Sequence, residues 1–326
     1  MHRILIIGVG SIGERHVRCF LATQRAIVSI CETNSVLGQQ VAERYQIQGN
    51  YSDLASVPTD QFDAAVICTP AHLHVPMAMQ LVEQDKHVLI EKPLSTSLAG
   101  VDQLSQVTDV VIGVAYVMRV HPTLRAVRDV LQQGRFGTPV QLVYSGGQHF
   151  PFYRPAYREI YYADRQRGGG AIQDALTHVL NAGEWLLGPI TSLAADAAHQ
   201  VLPDVDVEDT VHVLARHGQA LASYSLNQHQ AVNASAMTIA CESGVVQVEP
   251  LHHRWKWQSE PGGEWQHETL PPLERDDLFV TQAGQFLDAL EGHAPVSCSL
   301  ADATQTLRVN LGVLQAAEER RWVELA

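Results

Sequence analysis

The sequence predicts two halves of different class: an α/β half, which is a doubly wound parallel sheet, and then an α+β half built on a large, mainly antiparallel open sheet. Two observations predict them. As far as about residue 118, short apolar runs (4–7, 26–31, 63–68, 87–90 and 110–115) alternate with helical patterns such as 75–84 and 97–107. That alternation is the mark of parallel strands covered by helices on both faces. From about 138, strand-like runs at 138–146, 210–216, 220–228, 236–242 and 244–249 follow one another across short turns such as Glu242-Ser243-Gly244, with helices expected at 171–187, 278–291 and 300–318. This is the pattern of an antiparallel sheet. A boundary is expected near 117–122, where Pro122 opens a helical stretch, giving domains 1–120 and 121–326. At 326 residues, each is long enough to bury its own core.

The first strand, Ile4–Ile7, runs directly into Gly8-x-Gly10-x-x-Gly13. Gly8 permits a tight turn, Gly10 lets backbone approach a pyrophosphate, and Gly13 allows close packing of helix on strand. A helix beginning near Ser11 aims the backbone N–H groups of Ser11, Ile12 and Gly13 at such a diphosphate. After the second strand comes Glu32, 19 residues beyond Gly13, where a ribose-binding carboxylate is expected in a Rossmann half. A carboxylate there accepts from both ribose hydroxyls and repels a 2′-phosphate, so NAD is expected, with NADP possible.

In open parallel sheets the ligand sits outside the carboxyl ends of the strands. Three segments are therefore expected on one edge: the glycine turn, the stretch Cys68 to His74, and Glu91-Lys92-Pro93. Thr69, Pro70, His74, Glu91 and Lys92 are accordingly candidate cofactor contacts. Lys-Pro after a buried strand is also where a cis bond is affordable, since X–Pro pays only ~0.5–1 kcal/mol for it. A cis or otherwise strained Lys92–Pro93 peptide is expected.

In the second half, Gly168-Gly169-Gly170 leads to Asp174-x-x-x-His178. Residues four apart share one face of a helix. Oxidising a secondary alcohol requires a hydride acceptor and a base for the hydroxyl proton, and histidine is the side chain best matched to that exchange near neutral pH. Asp174 would accept substrate hydroxyls or hold the imidazole, and Lys92 would orient the same hydroxyl and stabilise the developing alkoxide. Lys92, Asp174 and His178 are the candidate catalytic residues.

These motifs together resemble the glucose–fructose oxidoreductase/inositol dehydrogenase (Gfo/Idh/MocA) family. The resemblance rests on Asp85-Lys86-His87-Val88-Leu89-Ile90-Glu91-Lys92-Pro93-Leu94, on Met118-Arg119-Val120-His121-Pro122, and on the run from Gly168 to His178. It extends over nearly the whole chain. It implies an NAD(P)-dependent oxidation or reduction of a sugar or polyol, with Lys92, Asp174 and His178 matching the family's catalytic lysine, aspartate and histidine. Three residues after the histidine the family often has aspartate, whereas this chain has Asn181, which can hydrogen-bond but supplies no charge.

The stretch 150–170 is dense in tyrosine and arginine. Arginine binds carboxylate or phosphate bidentately, and tyrosine offers a sugar ring an apolar face and a hydroxyl. Arg119, His121, Tyr153, Arg158 and Asn181 are the candidate substrate contacts. No metal site is expected. His72 and His74 lack further ligands, and the acidic run Asp204–Asp209, without the glycine spacing of a calcium loop, reads as a solvated loop. Residues 251–257 alternate like a half-exposed strand.

A net charge of −13 argues against nucleic-acid or anionic-membrane partners. Five cysteines, widely spaced and without a CxxC, suit a reducing cytoplasm. A strand starting at residue 3 leaves no room for a signal peptide, and no apolar stretch approaches the ~20 residues of a membrane span. One sheet face needs a covering partner, so a homodimer or homotetramer is expected. Two other functions fit the same fold: a catalytically silent NAD-sensing regulator, and a hydrolase or eliminase that uses tightly bound NAD transiently.

Overall fold

The apolar runs of the N-terminal half pair as parallel strands in the computed structural model, which describes residues 1–325. β1 (His2–Ile7), β2 (Ala26–Cys31), β3 (Asn50–Tyr51), β4 (Ala64–Ile67), β5 (His87–Ile90) and β6 (Ile112–Val114) form a six-stranded sheet in the order β3-β2-β1-β4-β5-β6. Every pairing in it is parallel. Helices α1 (Ser11–Ala22), α2 (Ser35–Tyr45), α3 (His74–Val82) and α4 (Val101–Ser105) lie between successive strands. α4 is much shorter than the expected 97–107. The Ser95-Thr96-Ser97 run favours turns over helix, and Gly100 sits at φ +78 just ahead of the first helical turn.

This first unit comprises Met1–Val117 together with Glu274–Thr304. The expected continuous domain 121–326 is thus interrupted, because the helix Asp277–Leu290 packs on α1. Its apolar stripe explains why: Ala283, Phe286 and Leu287 bury into the cluster of Ile4, Ile6, Val66 and Phe20. Phe20 meets Phe286 edge to face at 6.3 Å between ring centroids.

The second unit comprises Met118–Leu273 and Gln305–Ala326. Its helices are α5 (Pro122–Gln132), α6 (Phe150–Tyr153) and α7 (Thr177–Leu187), with the last part of the helix Leu300–Glu319. Nine strands form its sheet: β7 (Pro139–Gly147), β8 (Ser192–Ala198), β9 (Thr210–His217), β10 (Ala220–Asn227), β11 (Ala234–Cys241), β12 (Gly244–Glu249), β13 (Arg254–Gln258), β14 (Gln266–Thr269) and β15 (Val323–Glu324). They run in the order β14-β13-β12-β11-β7-β10-β9-β8-β15, and only β7 with β10 is parallel. Alternation sends Leu142, Tyr144, Val211, Val213, Ala222 and Tyr224 into the core and leaves Val143, Leu214 and Leu221 exposed. The half-exposed strand read at 251–257 starts only at Arg254. Pro250–His252 form a 3-10 turn, and His253 adopts a left-handed conformation at φ +50.

Candidate active site

Strand register brings the first set of residues together. Ile7 pairs with Cys31 and with Ile67, and Ile67 pairs with Ile90. Gly8, Glu32, Cys68–Pro70 and Glu91–Pro93 therefore leave the sheet side by side along its carboxyl edge. At Gly8 φ is +82, and a Cβ there would lie 3.0 Å from the Cys68 carbonyl oxygen; a Cβ on Gly13 would lie 1.8 Å from the Gly8 oxygen. A Cβ on Gly10 would meet nothing within 4 Å, so its face is open. α1 starts at Gly10 without a side-chain cap, which leaves the first-turn N–H groups of Ser11, Ile12 and Gly13 directed out of the helix end. An open cradle backed by uncapped N–H groups fits a diphosphate. The Glu32 carboxylate accepts from the backbone N–H of Val9 at 2.8 Å and of Asn34 at 2.9 Å, which fixes it beside the glycine turn. Arg44, on α2, is ion-paired with Glu14.

Glu91 and His74, both candidate cofactor contacts, are buried and bonded within the protein. One Glu91 oxygen accepts from His16 Nε2 at 2.7 Å, and the other from the Lys92 backbone N–H at 3.0 Å. Burial pushes its pKa up, but the His16 hydrogen bond and charge, with help from Lys92, hold it below the usual glutamate value. His74, 1 % exposed, places Nδ1 2.9 Å from the Pro93 carbonyl and Nε2 2.7 Å from the Thr69 carbonyl. Burial lowers its pKa against the pull of those carbonyls and of Glu91. Both residues are struts: they fasten the lysine-bearing turn to α1 and to the Thr69–Pro70 strand end. The Lys92–Pro93 peptide is cis. Thr69 and Pro70 stand half-buried on the same edge.

In the second unit, the helix bearing the acid/base pair begins as one π-type turn, Ile172–Leu176, that contains Asp174 and then continues as α7 with His178. Single π turns are common at functional sites because they re-aim a side chain. Asp174 is nearly buried and accepts from the Tyr161 hydroxyl at 2.6 Å, while His178 is half-buried. The acidic run read as a solvated loop is partly buried instead. Glu208 accepts from the Ile172 N–H at 3.1 Å and from Arg165 at 2.8 Å, and Asp209 accepts from the N–H groups of Gln200, Val201 and Leu202. The unpaired N–H groups at a helix start and a tight loop attract these carboxylates out of water.

Of the candidate substrate residues, Arg119 and Asn181 are brought together. Asn181 is fully buried: its oxygen accepts from Arg119 Nε at 2.9 Å, and its amide donates to Thr306 at 2.9 Å. Thr306 in turn donates to Glu184 at 2.7 Å, whose pKa burial raises. Arg119 and Asn181 thus belong to a polar network behind α7. His121 is also buried. It caps α5 by accepting from Thr123 N–H and stacks on His253 at 6.4 Å, and its pKa is lowered to about 4, first by burial and then by His253. Tyr153 is 46 % exposed against Phe152, and Arg158 is bound to Asp204 at 3.1 Å and to the Tyr157 hydroxyl. Tyr161 lies in the tyrosine-rich stretch 150–170, and nothing in the spacing selects it. His16 carried no signal, and Glu208 stood in the acidic run read as a solvated loop.

Comparison with known proteins gives a consistent picture. Residues 2–118 match the oxidoreductase family with an NAD-binding Rossmann fold, and residues 124–247 match the GFO/IDH/MocA C-terminal domain. A 1,5-anhydro-D-fructose reductase of Ensifer adhaerens is 24% identical over 336 residues, covering 100% of this chain and 99% of that one. An inositol 2-dehydrogenase of Rhizobium meliloti is 24% identical over 350 residues, covering 99% of each chain. A solved levoglucosan dehydrogenase in complex with NADH and levoglucosan shares the fold with a TM-score of 0.90 at 20% identity, covering 100% of this chain and 99% of that one. Among the described residues, no helix is long and apolar enough to cross a membrane.

Proposed function

The chain belongs to the GFO/IDH/MocA oxidoreductase family, and we propose that it transfers a hydride between NAD and a secondary alcohol or ketone carbon of a sugar, polyol or sugar acid. The observation that carries the proposal is the shared strand edge of the first unit. The turn bearing Lys92 leaves the same carboxyl edge of the sheet as the open Gly10 cradle and the fixed Glu32 carboxylate, two strands from the first and three from the second. The relatives named as sugar and inositol enzymes support the substrate class.

Ser11, Ile12 and Gly13 would hold the diphosphate through backbone N–H groups, and Glu32 the adenosine ribose. A carboxylate at Glu32 disfavours a 2′-phosphate, which supports NAD over NADP. When bound, NAD supplies the hydride acceptor. The Lys92 ammonium orients the reacting hydroxyl and offsets the negative charge that grows on its oxygen. His178 takes the hydroxyl proton as the carbinol C–H bond breaks, so the alcohol loses a proton and a hydride and becomes a ketone. Asp174 accepts a hydrogen bond from the substrate or the imidazole and fixes its orientation. In the reductive direction the same groups return the proton.

A panel of inositols, aldoses, uronic acids and nucleotide sugars, offered with NAD or NADP and followed by the absorbance of reduced nicotinamide, tests the proposal. Net NADH formation on a panel member supports it. Cofactor binding without turnover of any member contradicts it in favour of a sensor, and turnover without net change in cofactor contradicts it in favour of a hydrolase or eliminase.

The exposed row Val143 and Leu214, with Leu221 beside it, lies on adjacent strands of one open sheet face and supports a homodimer or homotetramer built on that face. Light scattering of the purified chain tests this, with a monomer mass as the contrary result. Five free cysteines, four of them buried, support a reducing compartment such as the cytoplasm.

A further inference from the structure

We infer that Tyr161 is a positioning residue that holds the Asp174 carboxylate for the reaction, an inference that rests on the reading of Asp174 as a catalytic group. The Tyr161 hydroxyl lies 2.6 Å from Asp174 Oδ1. A protonated phenol facing a carboxylate can only donate, so the contact fixes the rotamer of the acid and favours its ionised form.

Two features hold Tyr161 in place. The run of glycines is the seat for its backbone: a Cβ on Gly169 would lie 2.6 Å from the Tyr161 oxygen and 2.2 Å from that of Tyr162. Gly170 N–H donates to the Tyr162 carbonyl at 3.1 Å, and Gly169 N–H to that of Asp164 at 2.9 Å. The next residue, Tyr162, turns the other way into an aromatic cluster, 4.5 Å from Phe150 and 6.1 Å from Tyr157 between ring centroids, and its hydroxyl reaches Gln228. An anchored neighbour on one side and a glycine seat beneath give the phenol a rigid base from which to meet the π turn. The chemistry of the glycine run is thereby explained: larger residues would lift Tyr161 away from Asp174.

Ionisable groups near Asp174 include Tyr161, which donates to it, and Tyr162, whose pKa is raised by burial and by the Asp174 charge, while Glu208 at the helix start is paired with Arg165. Of these, Tyr161 is the one whose removal deletes a donor to the carboxylate and keeps the charges unchanged.

Tyr161→Phe removes the hydroxyl and keeps the ring. Without substrate, its urea stability is compared with wild type at pH 7. The deficit is expected to be absent in an Asp174→Asn background; a deficit that persists in that background overturns the inference. With NAD and the panel member of highest kcat/KM, Tyr161→Phe is expected to lower kcat/KM about tenfold and to raise the acid limb of its pH profile by about one unit. NAD affinity, read by fluorescence titration, stays at the wild-type value. An unmoved limb while Asp174→Asn is impaired overturns the positioning role alone. Asp174→Asn at the wild-type rate overturns the catalytic reading of Asp174 and this inference with it.

Discussion

His16 Nε2 lies 2.7 Å from Glu91 Oε1, and both residues are at most 5 % exposed. The pair ties the first helix after the glycine turn to the tripeptide that carries Lys92. Removing one member of a buried pair leaves the other charge uncompensated, at a cost of about 3–5 kcal/mol. His16→Leu is expected to lose that much stability at pH 7, measured by urea unfolding; a loss under about 1 kcal/mol contradicts the strut. The folded-state pKa of Glu91 is depressed below 4.5, so its stabilisation is present above 4.5 and is lost as pH falls through the lower folded value. The penalty of the variant is expected to shrink in that acid range.

The Glu32 carboxylate accepts from Val9 N–H and Asn34 N–H, and in the proposed reading its charge faces the place of a 2′-phosphate. Glu32→Gln keeps an acceptor and removes the charge. It is expected to shift the NADP-to-NAD ratio of kcat/KM upward by about tenfold or more, because a like-charge repulsion has gone. An unchanged ratio contradicts the assignment of Glu32 to cofactor choice.

Gly170 combines φ +88 with a Cβ position 2.3 Å from Glu208 Oε1. Gly170→Ala therefore imposes backbone strain and displaces the carboxylate that accepts from Ile172 N–H. Thermal unfolding is expected to show a loss of about 1–3 kcal/mol. Wild-type stability with unchanged turnover contradicts the close packing of Glu208 on this turn.

His121 has a folded pKa of about 4, set by burial and by His253, against an ordinary value of 6.5. The folded state excludes the proton, so this stabilisation is present above 6.5 and is lost as pH falls from 6.5 towards 4. Between pH 7 and pH 5.5 wild type is expected to lose about 1 kcal/mol more than His121→Asn, which caps α5 without titrating in this range. Parallel stability curves for the two proteins contradict the buried neutral state.

Which parts were legible follows from range along the chain. Five of the six strands of the first unit were readable because their apolar runs are continuous, and their ends then had to share an edge; β3, only Asn50–Tyr51, has no such run. β8 (Ser192–Ala198) was not, because Ser-Leu-Ala-Ala-Asp-Ala-Ala lacks the β-branched and aromatic residues that mark strands. The return of Asp277–Leu290 to the first unit was hidden for another reason: an amphipathic helix shows its apolar stripe but not its partner. At the candidate site, Lys92, Asp174 and His178 stand out because chemistry demands their types at local spacings. The supports His16, Glu208 and Tyr161 lie 75, 36 and 13 residues from their partners. Pairings over such distances leave no periodic trace. Asn181 and Arg119 were candidate substrate contacts from their places in the motifs, and nothing in those motifs tells that the two bond to each other across 62 residues.

The account stands on Lys92 and His178 acting on the same alcohol oxygen and its proton, and a double-mutant cycle in steady-state NADH formation tests that most directly. Lys92→Ala and His178→Ala are each expected to lower kcat by at least ~10²-fold, and the double variant to be little worse than the poorer single, since groups that serve one proton transfer are not additive. A Lys92→Ala enzyme with near wild-type turnover, or losses that multiply independently in the double variant, would contradict it.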